Sequence, residues 1–196
     1  PGFVCVVGNG MGQGRGAPWI DSVNPFDPEI KQALAAGITA FLAGTPGGGP
    51  LPTGDTAVIK TAWGGKSLFR DFRPPSSGGE AGKYFTLMIA QVREALAKLE
   101  TEFPATRGCD YELAGFVWYQ GWNDGGNEFT ASSYQENLAD FIRDIRAELG
   151  NPTLPFAVAN TGISGASASG NRLIMLEGQL AVANPVLYPE FNGNVS

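Results

Sequence analysis

The chain has 196 residues, 43% of them hydrophobic. That suits one domain with a sizeable core and excludes a disordered one. Its 13 Lys+Arg face 19 Asp+Glu, a net charge of -6, with no basic run; this argues against nucleic acid or a membrane surface as partner. No apolar stretch reaches the ~18 residues of a spanning helix. Histidine is absent, so Ser-His, Cys-His and His-metal chemistry cannot be built from these residues.

Phe3–Val7 is a short, continuous apolar run, the pattern of a strand buried on both faces. It feeds a glycine-rich loop, "GNGMGQGRG", from Gly8 to Gly16. Cys5 lies in the run, where a buried thiol is the plain reading. A Cys5–Cys109 bridge is the alternative, and two cysteines make no disulfide framework. Asp27-Pro28 predicts a helix start, an N-cap acid with proline at the first helical position. Ile30, Leu34, Ile38 and Leu42 follow at helical spacing. Gly44 to Asp55 reads as a flexible loop. A second strand is expected over about Ala57 to Ala62, ending in the tight Gly64-Gly65 turn.

"SLFRDFRPPSSGGEAGK", starting at Ser67, has neither helical nor strand period, and long irregular loops in compact domains are often functional. Phe85, Met88, Val92, Leu96 and Leu99 mark an amphipathic helix. A third strand, about Leu113 to Tyr119, runs into the polar turn "QGWND". Ser133 and Glu136 form a capping-box pattern before a helix whose apolar face is Tyr134, Leu138, Phe141, Ile145 and Leu149. Gly150 and Pro152 stop it. "LPFAVANTG" predicts a fourth strand, and Asn171 to Val182 a last helix.

Strands alternating with helices predict a single α/β domain over residues 1–196: three layers, with a mainly parallel central sheet between helices. Ligands in such folds sit at the carboxyl ends of the strands. Three strands end there in glycine-containing polar turns, "GNGMGQG", "WGGKS" and "QGWND", which would converge on one crevice. Ordinary glycine turns after strands are the plainer alternative.

Read together, "AWGGKSLFRDFRPPSSGG" and "GFVWYQGWND" resemble the SGNH-hydrolase superfamily. The similarity is to its sialate O-acetylesterase and carbohydrate esterase family 6 branch, whose third block is usually W-Y-Q-G-E-S-D. The resemblance implies an SGNH/flavodoxin-like fold and hydrolysis of acetyl esters on small or polymeric sugars, with no cofactor and no metal. It also implies a secreted or periplasmic setting. In that family a serine in a G-Q-S-N-M-x-G loop attacks the ester, activated by an Asp/His pair near the C-terminus. Backbone N–H groups and a side-chain amide stabilise the oxyanion. Carried over, Gly64 and Gly65 offer backbone N–H groups and Gln120 the side-chain donor. Asp124 matches the block's final acid, with Trp122 and Asn123 in place of the usual glutamate and serine. Gln120 and Asp124 could instead only cap their turn. Trp122 is expected to line a sugar site. Arg70 and Arg73 would contact an acidic sugar, with a solvated loop the equal alternative.

The opening loop breaks the pattern. One register puts Gly10 at the serine position and the other puts Asn9 there, and neither is a nucleophile. Ser67 is a substitute hydroxyl, but no base stands beside it in sequence. "PEFNGNV" would open a last strand, followed in the family by the Asp/His segment. The chain stops at Ser196, so the expectation is a domain lacking its C-terminal block. The leading reading is a carbohydrate O-acetylesterase-type domain, inactive if the serine and histidine are truly lacking. A non-catalytic glycan-binding relative is the second. Dinucleotide binding through Gly12-Gln13-Gly14-Arg15-Gly16-Ala17 is a third, but it needs a helix at once, and Pro18, Pro25 and Pro28 oppose one.

Overall fold

The computed structural model describes residues 2–6, 58–102, 107–108 and 110–196. Among the described residues, four parallel strands form one sheet: β1 (Gly2–Val6), β2 (Val58–Ile59), β3 (Glu112–Trp118) and β4 (Phe156–Val158), in the order β2-β1-β3-β4. The register of β3 on β1 slips between Phe3 and Cys5, which face Leu113 and Phe116. Three steps of β3 thus match two of β1, a bulge at Ala114-Gly115. Five α-helices are described: α1 (Lys83–Ala97), α2 (Leu99–Glu102), α3 (Glu128–Ser132), α4 (Tyr134–Glu148) and α5 (Gly170–Ala181).

Alternation along β3 puts Phe116 and Trp118 on one face. Both meet Phe141 of α4, at ring-centroid distances of 6.0 and 4.3 Å, and Phe141 meets Phe85 of α1 at 5.8 Å. Phe156 of β4 stacks on Phe116 at 4.5 Å. One aromatic layer therefore joins the sheet to α1 and α4, and burying each such ring contributes roughly 1.5–3 kcal/mol. The steps β2→β3 and β3→β4 run the same way across the sheet. Right-handed crossovers then place both helices on the same face. The helix expected from Asp27 to Leu42 lies outside the described residues, as do the loop at 8–16 and Cys109.

Two local expectations change. The Ser133–Glu136 capping box does not form. Helix α3 ends directly before α4, so Ser133 is already helical (φ -84°, ψ -7°), and its hydroxyl donates back to the Phe129 carbonyl at 2.8 Å. Asn127 caps α3 instead, accepting from the Thr130 N–H at 3.0 Å. The excursion after Ser67 is also more ordered than its sequence suggests. Leu68 and Phe72 are fully buried. Gly82 donates to the Arg73 carbonyl at 2.9 Å, and Tyr84 to the Asp71 carbonyl at 2.9 Å. A Cβ on Gly82 would stand 2.4 Å from backbone atoms of Arg73 and Asp71, so only glycine permits this seam.

Beyond β4, Val195 bridges Phe156 in parallel. Phe156 donates to the Asn194 carbonyl (2.8 Å), Val158 to the Ser196 carbonyl (2.7 Å) and Ser196 to the Phe156 carbonyl (3.0 Å). The segment expected to open a last strand thus adds to the outer edge of β4. Among the described residues, no helix is long and apolar enough to cross a membrane.

Candidate active site at the carboxyl rim

Because the strands are parallel, the turns after β2, β3 and β4 leave from one rim. Asp124, just past β3, is fully buried. Its carboxylate accepts three bonds: from the Leu68 N–H (2.9 Å), the Phe69 N–H (2.9 Å) and Gln120 Nε2 (2.6 Å). The second hydrogen of Gln120 Nε2 goes to the Lys66 carbonyl at 3.0 Å. Those two acceptors fix which way the amide faces, since a flipped carboxamide would set oxygen against oxygen. The post-β2 turn, Gly64-Gly65 through Phe69, is therefore sewn to the post-β3 turn by one acid and one amide.

Gln120 is held from behind as well. Its carbonyl accepts from Tyr134 Oη (2.7 Å) and Gln179 Nε2 (2.6 Å). Gln179 Oε1 in turn accepts from the Thr161 N–H at 3.3 Å, bringing in the post-β4 turn. Tyr134 Oη also accepts from Trp118 Nε1 at 3.4 Å. Burial is the main force pushing the Asp124 carboxyl up from its ordinary value. The bonds from Gln120, Phe69 and Leu68 oppose it, and the charge of Asp71 adds to the rise. Burial likewise raises the Tyr134 phenol, with Asp124 contributing, so it stays a neutral donor.

The expected site residues take distinct places. Gly64 and Gly65 are exposed in their turn, within one or two residues of the Lys66 carbonyl that Gln120 holds. Both amide hydrogens of Gln120 are engaged, so in this arrangement the side chain braces the loops rather than presenting an N–H to solvent. Trp122 is 49% exposed, with the Arg172 guanidinium 5.8 Å from its ring centroid. Arg73 sits inside its loop, donating to the Gly78 (2.7 Å), Phe69 (3.1 Å) and Ser77 (2.6 Å) carbonyls. Arg70 is exposed and reaches Asp71 at 3.3 Å. Gly10 and Asn9 lie outside the described residues, as do the glycines of the dinucleotide reading.

Ser67 does have a carboxylate beside it, which the sequence did not reveal. Its hydroxyl donates to Asp71 Oδ2 at 3.0 Å. Burial works to raise the Asp71 carboxyl, but the bonds from the Ser67 N–H and hydroxyl and the charge of Arg70 outweigh it. The net value is lowered. A carboxylate held below the ordinary range is a poor base for a serine hydroxyl. The Ser67 oxygen also accepts from the Arg70 N–H at 3.2 Å. The pair thus caps a turn. Gln179 and Arg172 went unnoticed in the sequence. The signal for Gln179 was a polar residue on the apolar stripe of α5, between Met175, Leu176 and Val182.

A solved structure from Arabidopsis thaliana aligns at 23% identity and TM-score 0.48, covering 71% of this chain and 46% of that one. A carbohydrate acetylesterase from Xanthomonas citri aligns at 21% identity and TM-score 0.49, covering 78% of this chain and 32% of that one. The chain thus spans less than half of either structure's length. No curated protein matches the chain. The sequence model described as carbohydrate esterase, sialic acid-specific acetylesterase, matches residues 17–186, and a match of that extent means the chain belongs to this carbohydrate esterase family.

Proposed function

We propose that this domain binds O-acetylated sugars at the carboxyl rim, with the ester carbonyl oxygen directed at the backbone N–H groups of the Gly64-Gly65 turn. The observation that carries this reading is the Asp124 cluster. It joins the post-β2 and post-β3 turns into one rigid wall. A fixed wall of backbone donors suits a carbonyl that gains negative charge, because the donors need not reorganise as charge develops. Gln120 and Asp124 act as positioning residues for that wall, and Trp122 offers an aromatic face to a sugar ring.

Attack on the ester requires a hydroxyl and a base at this rim. Neither Gly10 nor Asn9 is a nucleophile, these residues include no histidine, and the one carboxylate beside the Ser67 hydroxyl is held below the ordinary range, which makes it a weak base. Binding without turnover is therefore the expected behaviour of these 196 residues. The test pairs an NMR titration with an O-acetylated monosaccharide against a hydrolysis assay on p-nitrophenyl acetate. Saturable binding that weakens on deacetylation of the sugar, with hydrolysis no faster than the heat-denatured control, is the expected result. Absence of binding would overturn the reading. Turnover abolished by Ser67→Ala would replace it with catalysis from the second block.

A further inference from the structure

The post-β3 turn carries a donor that finds no acceptor among the described residues. Gly121, just past the end of β3, is buried, yet its N–H donates to none of them. Buried backbone N–H groups are almost always paired, so an orphan of this kind calls for an explanation. The carbonyl of the same peptide, that of Gln120, accepts from Tyr134 Oη at 2.7 Å and Gln179 Nε2 at 2.6 Å. Those two donors, from α4 and α5, occupy both of its lone pairs. A trans peptide points its N–H opposite to its C=O, and the described residues contain no cis bond. The Gly121 N–H is therefore aimed away from both helices. A flip of this peptide would strand the Tyr134 and Gln179 donors, both on buried residues. The Gly121 carbonyl is fixed as well, accepting from the Asp124 and Gly125 N–H groups, each at 3.0 Å.

We infer that the Gly121 N–H is the post-β3 donor to the ester carbonyl oxygen. This rests on the function proposed above and deepens it, naming a binding group on a second turn. The resemblance to the esterase family assigned that part to the Gln120 side chain. In this chain both hydrogens of that amide are already given, one to Asp124 and one to the Lys66 carbonyl. The donor thus moves one position along the chain, from a side chain to the backbone. The gain is rigidity. A peptide clamped at its own carbonyl and at the next one cannot turn with the ligand. A donor that needs no reorganisation suits an oxygen that gains negative charge. The ester oxygen in turn supplies the acceptor that the buried N–H lacks.

The test follows the amide protons of the 196-residue chain by NMR as O-acetylated galactose is added, with galactose as the control. The wild-type chain serves throughout, so no variant has to fold. The Gly121 amide proton moves downfield, the signature of a newly gained acceptor, and saturates together with the amides of Gly64 and Gly65. The side-chain amide protons of Gln120 move less than Gly121 does, because they keep Asp124 and Lys66 as partners. Galactose, which lacks the ester, does not produce the Gly121 shift. A Gly121 proton that stays in place at saturation overturns the inference. So does a larger displacement of the Gln120 side-chain protons, or an equal Gly121 shift with galactose. If the Gly64 and Gly65 amides still respond to the acetylated sugar in those cases, the inference alone falls. If no amide responds to it, the parent reading falls too.

Discussion

Asp124 is out of reach of water, yet three N–H groups converge on its two oxygens. Replacing it by asparagine turns an NH₂ group toward at least one of those donors. The expected loss for Asp124→Asn at neutral pH is about 1–3 kcal/mol, the cost of a buried donor left unsatisfied, measured by urea unfolding. The pH dependence has a definite sign. The folded-state value stands above the ordinary 3.8, so the folded chain binds this proton more tightly than the unfolded one. The stability from the protonated group is full below 3.8 and is lost as pH rises through the raised value. The advantage of the wild type over Asp124→Asn should therefore narrow from acid toward neutral pH. A gap that widens over that range would contradict the raised value.

Helix α5 presses on the post-β3 turn at Gly121. There φ is +153°, and a Cβ would fall 2.6 Å from Met175 Sδ and 2.8 Å from Gln179 Nε2. The thioether can swing aside; Gln179 cannot without releasing the Gln120 carbonyl. Gly121→Ala should cost about 1–3 kcal/mol and speed hydrogen exchange across the rim while leaving α1 protected. Uniform exchange throughout the chain would deny this local role. Elements of this kind were unevenly legible in the sequence. The faces of α1 and α4 were readable because Phe85, Met88 and Val92, and Leu138, Phe141 and Ile145, repeat at the helical period, and all are buried. The capping box at Ser133 misled, because the pattern does not say whether another helix ends just before it. Gln120 and Asp124 were legible as residues but not as a brace, since their partners Lys66, Leu68 and Phe69 lie 54 to 56 positions away. Arg73 was legible as a charge, while its three carbonyl partners depend on a turn that no periodicity announces.

At the scale of the molecule, one ring sits at the centre of the described aromatic layer. Phe141 touches Phe85, Phe116, Trp118 and Phe156, so one side chain links two helices and two strands. Phe141→Ala should cost about 3–5 kcal/mol, read as a lower denaturation midpoint, whereas a change below 1 kcal/mol would mean the layers are held elsewhere. The rim depends on those layers through α5. Arg172 and Gln179 are seven residues apart on that helix, about two turns, or roughly 10 Å. Its first turn faces a cavity lined by Gly125 and Ser164, and its last turn grips the Gln120 carbonyl. A stiff rod anchored at both places behaves as a lever: a tilt induced at its first turn would be felt as a pull on the peptide that precedes Gly121.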